Sequence, residues 1–307
     1  MATVIIAGPT SAGKSQAAID IAREFDCPVI SADARQCYKY LDIGTGKVPA
    51  EILEEIPHYN ISIFEPDEPD TAADFANRCK DWSGEILQSS ELCLYAGGST
   101  LHLESILYPF DDIPDANPEN VSKLEEEADT FGVEHLFKKL KNVDPVYSKK
   151  MDGFNRHRII RALDVWMQTG EPFSSFHHKN KTNPDADLIF ILSPERQTLH
   201  ERINNRVDEM LNEGFVQEVK SILEMGFSPE IQSLKTVGYR EVIAYLNGEL
   251  DYPNMVEKIK TQTRRYAKRQ ITWFRRWPDA VWIDSGQSRD KIKKELISYI
   301  KPLIKNP

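Results

Sequence analysis

The sequence has 307 residues, 40% hydrophobic and 28% charged, which is the balance of an ordinary globular protein. No apolar run approaches a membrane span and the chain starts directly in a strand-like segment, so neither a membrane protein nor a secreted one is expected, and a cytoplasmic location is. Four cysteines (Cys27, Cys37, Cys79, Cys93) lack C-x-x-C spacing, which excludes a zinc site or disulfide framework from this pattern, and Cys27 and Cys93 beside apolar runs read as buried thiols. A net charge of −10 argues against a nucleic-acid partner only if the charge is spread evenly.

It is not. The segment from Glu51 to Glu85 is dense in acid, whereas Thr263 to Trp277, "TRRYAKRQITWFRRW", carries six Lys/Arg and no carboxylate. A second basic cluster runs from Lys149 to Arg161, opposed only by Asp152. Segregation of this kind predicts a basic face on an acidic protein.

In chain order, Val4 to Ala7 predicts a buried strand, followed by "GPTSAGKS" from Gly8 to Ser15, which fits G-x-x-x-x-G-K-[ST]. Gly8 and Gly13 permit a tight turn whose N–H groups, with the N-terminus of the next helix, face one anion. Lys14 reaches the terminal phosphate in such a loop and the Ser15 hydroxyl ligates Mg²⁺. The helical pattern "KSQAAIDIAREF" supplies the required context.

Pro28 to Ser31 predicts a second strand, ending in "ISADARQ". The carboxyl ends of strands beside a phosphate loop form the ligand crevice of an open sheet, which places Asp33 as a candidate general base. Its other use is to cap a turn. A third strand, Leu92 to Ala96, ends in "GGST" with no carboxylate. A phosphate-loop ATPase holds Mg²⁺ with an Asp at the end of a further strand, so this absence weakens a hydrolase reading. Ser99 and Thr100 offer hydroxyls instead.

Strand-like alternation is then absent for over ninety residues. Helical periodicity recurs in "VSKLEEEADTFGVEHLFKKLKNV" and "FNRHRIIRALDVWMQTG", stopped by Gly170 and Pro172. A fourth strand spans Leu188 to Leu192, and the helix after it carries Arg202 and Arg206 four residues apart, either of which can clamp a leaving phosphate or lie exposed in an ion pair. Gly214, Gly226 and Gly248 fall where helix C-caps belong. The basic helix runs from about Asn254 to Trp277, with Tyr266, Trp273 and Trp277 on one stripe that reads as core and cations on other faces that suit RNA phosphates. Val281 to Asp284 is the last strand. The pattern predicts an α/β fold: a P-loop NTPase-like doubly wound parallel sheet formed by residues 1–113 and 185–307, with a helical insertion at 114–184.

These residues together resemble the tRNA dimethylallyltransferase (tRNA isopentenyltransferase) family of bacterial type. The matching runs extend from Val4 to about Asp284 and include "GPTSAGKS", "SADARQCYKYLDIGTGKV", "PHYNISIFEPDEPDTAADFA", "AGGSTLHLESIL", "RHRIIRALDVWMQTG", "RVDEMLNEGFVQEV", "VGYREVIAYLNGE" and "TRRYAKRQITWFRRW". The resemblance implies transfer of a dimethylallyl group from dimethylallyl diphosphate to N6 of the adenine 3′ of the anticodon, in tRNAs reading codons that begin with U, with release of pyrophosphate. Gly8, Pro9, Thr10, Ser11, Ala12, Gly13, Lys14 and Ser15 would then hold an isoprenoid diphosphate where other proteins with this loop hold ATP. Asp33 is implied as the base, with Lys14, Arg206 and Ser99 assisting and Mg²⁺ on Ser15. tRNA contacts are implied for Asp33, Ala34, Arg35 and Gln36, for His157, Arg158, Ile159, Ile160 and Arg161, and for Arg265, Lys268 and Arg269, with the helical insertion gripping the anticodon stem-loop.

Several positions depart from the usual family pattern. Ser11-Ala12 inverts a common Ala-Ser, Ser15 and Ser99 replace threonines, and Asn155 in "GFNRHR" lacks a usual carboxylate. The zinc-finger extension of eukaryotic relatives is not expected in a protein of this bacterial type, and a monomer is expected. Competing readings are an adenylate isopentenyltransferase acting on free AMP, ADP or ATP, a small-molecule phosphate-loop kinase, and a non-catalytic RNA-binding module. The insertion and basic helix count against the first, the family motifs against the second, and intact Lys14, Ser15 and Asp33 against the third.

Overall fold

The computed structural model describes residues 1–108, 113–151, 153–176 and 185–304. In chain order come β1 (Ala2–Ala7), α1 (Lys14–Phe25), β2 (Val29–Ala32), α2 (Ala50–Glu55), β3 (His58–Tyr59), α3 (Ala72–Ser89), β4 (Leu92–Gly97) and α4 (Thr100–Leu107). Four helices follow: α5 (Pro118–Phe131), α6 (Val133–Val143), α7 (Pro145–Lys150) and α8 (Arg156–Thr169). The chain then forms β5 (Leu188–Leu192), α9 (Arg196–Asn212), α10 (Phe215–Glu224), α11 (Tyr239–Leu246), α12 (Tyr252–Phe274), β6 (Val281–Ile283) and α13 (Arg289–Ile300). It divides into two compact units, residues 1–108 with 184–307 and residues 109–183.

In the first unit all strands pair in parallel, in the order β3-β2-β4-β1-β5-β6. Successive side chains of a strand point to opposite faces. Val4 and Ile6 therefore pack with Ile21 of α1 and Leu296 and Ile300 of α13, while Ile5 and Ala7 pack with Phe75, Leu103, Phe274 and Trp277 on the other side. Burial on both faces is why these strands read as continuous apolar runs rather than alternating ones. Five strands are expected from the sequence and six form among the described residues. The sixth, β3, contributes only Val29↔His58 and Ile30↔Tyr59 pairing, too short to leave a pattern. Register sets the functional edge: Ala7 lies opposite Gly97 and Ile191, and Ala32 opposite Gly97, so the loops leaving β1, β2, β4 and β5 emerge side by side.

The second unit has its own core, in which Leu124 and Ala128 of α5 and Leu136 and Leu140 of α6 meet Ile159, Ile160 and Leu163 of α8. The single helical run expected around Gly132 is divided there, with that glycine at φ 84° between α5 and α6. Asp164 of α8 is fully buried, and its carboxylate accepts hydrogen bonds from Asn117, Asn120, Arg161 and Gln168. A buried carboxylate is tolerated when so many donors converge on it. All four cysteines are free and buried, and burial pushes the Cys27 and Cys37 thiols up to about 12, away from any thiolate chemistry at neutral pH.

Candidate active site

The loop after β1 is shaped by its neighbours. A Cβ on Gly8 would stand 2.3 Å from the Leu192 carbonyl oxygen of β5, so only glycine lets the chain turn away from the sheet there. Gly13 occupies the N-cap of α1 and gives no side-chain cap, leaving the first N–H groups of the helix available to an anion. The buried Ser11 hydroxyl has no hydrogen-bond partner among the described residues. Lys14 folds back, its Nζ donating to the Pro9 carbonyl at 2.8 Å. Burial first and the Arg206 charge second lower the Lys14 pKa to about 8, with Asp33 opposing them. Burial disfavours the charged ammonium, and a bound anion would offset that cost.

Asp33 leaves the end of β2 and fills both uses open to it. Its Oδ1 accepts from the Arg35 N–H at 2.9 Å and the Gln36 N–H at 3.4 Å, capping the turn, while the side chain lines a cavity of about 150 Å³. Among the described residues no hydrogen bond reaches Oδ2. The same cavity brings Thr10, Arg35, Thr45, Arg206 and Tyr266 together with an apolar wall of Ile203, Val207, Met210, Phe215 and Ile259. Of the two candidate arginines only Arg206 is here. Arg202 lines another depression, on the other side of the phosphate loop's Ala12 and Gly13, with Gln16, Ser285 and Arg289. Arg206 Nη2 donates to the Thr45 carbonyl at 3.0 Å, and burial lowers its pKa against the opposing pull of Asp33 and Glu209. A guanidinium keeps its proton regardless.

Ser99 is the N-cap of α4 without capping it, because its hydroxyl lies 2.6 Å from His102 Nδ1 instead. His102 Nε2 is 3.9 Å from Asp70 Oδ2, and Asp70 is paired with Arg78. Burial raises the Asp70 carboxyl, but His102 and Arg78 outweigh it and hold the group below the usual range. Sequence reasoning did not single out this Ser-His-Asp line, because Asp70, before α3, lies about thirty residues from Ser99 and His102 at the start of α4.

Gln270 was also missed. It is buried on the apolar stripe of α12, where its Oε1 accepts from the Thr10 N–H at 3.0 Å and its Nε2 donates to the Gly98 carbonyl at 2.6 Å. That ties α12 to the phosphate loop and the end of β4. The one signal is a glutamine in register with Ala267, Phe274 and Trp277. Tyr266, expected in the core with the tryptophans, instead lines the cavity and is 37% exposed.

The remaining candidates differ in what they present. Gln36 is buried and turned inward, donating to the Thr45 and Gly46 carbonyls. Arg265, Lys268 and Arg269 are exposed on α12. On α8, His157 and Arg158 are exposed, whereas Ile159 and Ile160 are 0% and 3% exposed in the core of the helical unit, so side-chain contact with RNA is not open to them. Helical periodicity turns those two inward. Arg161 is held by Asp164 and the Pro114 carbonyl. Asn155, the position that departs from the family pattern, caps α8 by accepting from the Arg158 N–H. No helix among the described residues is long and apolar enough to cross a membrane.

The IPP transferase family model matches residues 36–277 and the Isopentenyl transferase family model residues 1–61. A tRNA dimethylallyltransferase of Thermoanaerobacter sp. (strain X514) is 40% identical, over 97% of this chain and 96% of the relative. A tRNA dimethylallyltransferase 1 of Trichlorobacter lovleyi is 42% identical over 91% and 92%. Among solved structures, the full-length tRNA isopentenylpyrophosphate transferase of Bacillus halodurans superposes with a TM-score of 0.72 at 32% identity, covering 99% of this chain and 96% of that one. A eukaryotic dimethylallyltransferase acting on tRNA superposes with a TM-score of 0.85 at 26% identity, over 99% and 80%.

Proposed function

The chain belongs to the IPP transferase family, and from that premise we infer that it is a tRNA dimethylallyltransferase, moving a dimethylallyl group from its diphosphate to N6 of the adenine 3′ of the anticodon in tRNAs that read U-initial codons. The observation that carries the reading in this chain is the joining, at one small cavity, of Asp33 and Arg206 beside Lys14 with an apolar wall. Cations and loop N–H groups suit a diphosphate, and the wall of Ile203, Val207, Met210, Phe215 and Ile259 suits a branched five-carbon tail. A kinase has no need of that wall at its reacting phosphate.

The exocyclic amine of adenine is a weak nucleophile because its lone pair is delocalised into the ring. Asp33, half-buried and lining the cavity, takes the N6 proton as that nitrogen bonds to the first allylic carbon. The C–O bond to the diphosphate breaks and its electron pair leaves with pyrophosphate. Lys14, Arg206 and the loop N–H groups stabilise the charge that builds there. The orphan Ser11 hydroxyl and the uncapped start of α1 fit the diphosphate, and the exposed Ser15 hydroxyl in the first turn fits Mg²⁺, an ion commonly held by one or two protein oxygens plus phosphate oxygens. Mg²⁺ there would neutralise charge on the leaving group. Ser99, fixed by His102, completes the crevice edge.

The target adenine must leave its stack to reach Asp33, which suits a loop base rather than a paired one. His157 and Arg158 on the helical unit and Arg265, Lys268 and Arg269 on α12 are the exposed side chains that would meet the stem-loop phosphates. We place the enzyme in the cytoplasm, acting as a monomer. The test is transfer of labelled dimethylallyl from its diphosphate, with Mg²⁺, to an anticodon stem-loop bearing adenines across the modified position, with AMP and ATP as parallel acceptors. Label on the stem-loop alone is expected; label on AMP or ATP, or on no acceptor, would overturn the reading.

A further inference from the structure

The cation that faces the diphosphate is held by a loop, and the loop is held by a carboxylate outside the cavity. Among the described residues, Arg206 donates to the Thr45 carbonyl at 3.0 Å, with only a long contact of 3.5 Å to the Thr10 hydroxyl besides. Gly46 presses on the same guanidinium: a Cβ there would stand 2.2 Å from Arg206 Nη2. Thr45 and Gly46 therefore decide where Arg206 points.

Three consecutive N–H groups just upstream converge on one side chain. Glu218 of α10 accepts from Asp42 at 2.9 Å and Ile43 at 2.6 Å through Oε2, and from Gly44 at 3.1 Å through Oε1. Successive main-chain N–H groups arranged in this way form a nest for an anion, and bonds to an ionised acceptor are the stronger kind. Tyr239, fully buried, donates its hydroxyl to Glu218 Oε1 at 2.7 Å. Burial, then the Glu218 charge, pushes the Tyr239 pKa far up, so it stays a phenol and a donor. Gly44 closes the contact, since a Cβ on it would lie 2.2 Å from Phe215 and 2.5 Å from Tyr239. The loop is thus clamped from behind by Glu218 and Tyr239 and delivers a carbonyl to Arg206 in front.

We propose that Glu218 is a positioning residue for the transfer: its carboxylate, oriented by Tyr239, anchors the Asp42 to Gly44 N–H groups so that the Thr45 carbonyl fixes Arg206 against the leaving diphosphate. This rests on the transferase reading. Glutamine at this position keeps the shape but replaces one acceptor oxygen by a donor, which opposes the Gly44 N–H and Tyr239 hydroxyl or the other two N–H groups.

The experiment compares wild type, Glu218→Gln, Tyr239→Phe, Arg206→Lys and the Glu218→Gln/Arg206→Lys double variant. Binding of inorganic pyrophosphate with Mg²⁺ is read by calorimetry, kcat and KM by dimethylallyl transfer to the stem-loop, and folding by thermal melting. Glu218→Gln is expected to weaken pyrophosphate binding and lower kcat by about tenfold each, a usual size for the loss of a supporting contact. KM for the stem-loop stays unchanged, and in the Arg206→Lys background the same substitution adds less than about twofold, because coupled residues are not additive. Equal losses in both backgrounds, or unchanged pyrophosphate binding by a folded Glu218→Gln, would overturn the proposal. If Glu218→Gln does not fold, Tyr239→Phe, which removes one donor and keeps the ring, decides in the same way with a smaller expected loss of about threefold. Should the wild type transfer no label, the functional reading falls, while the pyrophosphate comparison still decides the role of Glu218.

Discussion

The parallel-sheet unit and the helical unit use polar residues in opposite ways. At the strand ends of the first, Asp33, Arg206, Gln270 and Ser99 are at least half-buried and each is held by at least one hydrogen bond. In the second, the buried carboxylates Asp144 and Asp164 serve as structural hubs in a core of Leu136, Leu140, Ile159 and Ile160, and His157 and Arg158, expected to meet RNA, lie outside. Chemistry needs groups desolvated and fixed before the substrate arrives. Grip on a phosphate backbone needs charges that release counterions and adapt. Substitutions should therefore cost turnover in one unit and either stability or RNA affinity in the other.

The largest effect should come from Asp33→Asn, which retains an acceptor for the Arg35 N–H but cannot take a proton. kcat should fall by about 10²–10⁴, the usual worth of a general base, with melting temperature and stem-loop affinity unchanged, as single-turnover assays and melts would read. A loss of affinity equal to the loss of kcat would dissolve the distinction between the units. Next is Ile159→Ala, expected to destabilise the helical unit by about 2–5 kcal/mol through the cavity it leaves, measured by chemical denaturation. A folded variant with only weakened RNA binding would mean that this residue faces the RNA after all.

Gln270→Leu strips the Thr10 N–H and the Gly98 carbonyl of their buried partner. It should cost about 1–3 kcal/mol and raise KM for dimethylallyl diphosphate, with KM for the stem-loop unmoved. Arg158→Ala, one residue before Ile159, should leave stability within about 0.5 kcal/mol. It should weaken stem-loop binding several-fold and reduce the salt slope of log K by about 1, readable in a titration over salt concentration.

The smallest effect sharpens the electrostatic side. Lys14 has its pKa lowered to about 8, chiefly by burial and then by Arg206. A bound diphosphate favours the charged form and raises that pKa again. Above pH 8, then, binding of pyrophosphate should take up a proton and affinity should decline as pH rises, by at most about tenfold per unit. Calorimetry in buffers of different ionisation enthalpy measures the proton directly; release of a proton instead would contradict the lowered value.

Much of this was present in the chain before folding. "GPTSAGKS" after a β-branched strand specifies its own loop, since the glycines, the lysine and the helix start are neighbours in sequence, and five of the strands announce themselves because burial on two faces demands unbroken apolar runs. Asp33 was legible for the same reason, lying at a strand end next to the loop. What folding alone decided are the partners brought from far away. Gln270 meets Thr10 across 260 residues and Glu218 meets Ile43 across 175, so no local pattern could pair them. Helix rotation chose Arg206 over Arg202 for the cavity, turned Ile159 and Ile160 into the core, and left His157 and Arg158 outside. A motif fixes which groups are adjacent along the backbone, but the direction a side chain faces and the atom it meets depend on packing between distant elements, which exists only once the sheet and its helices have closed on one another.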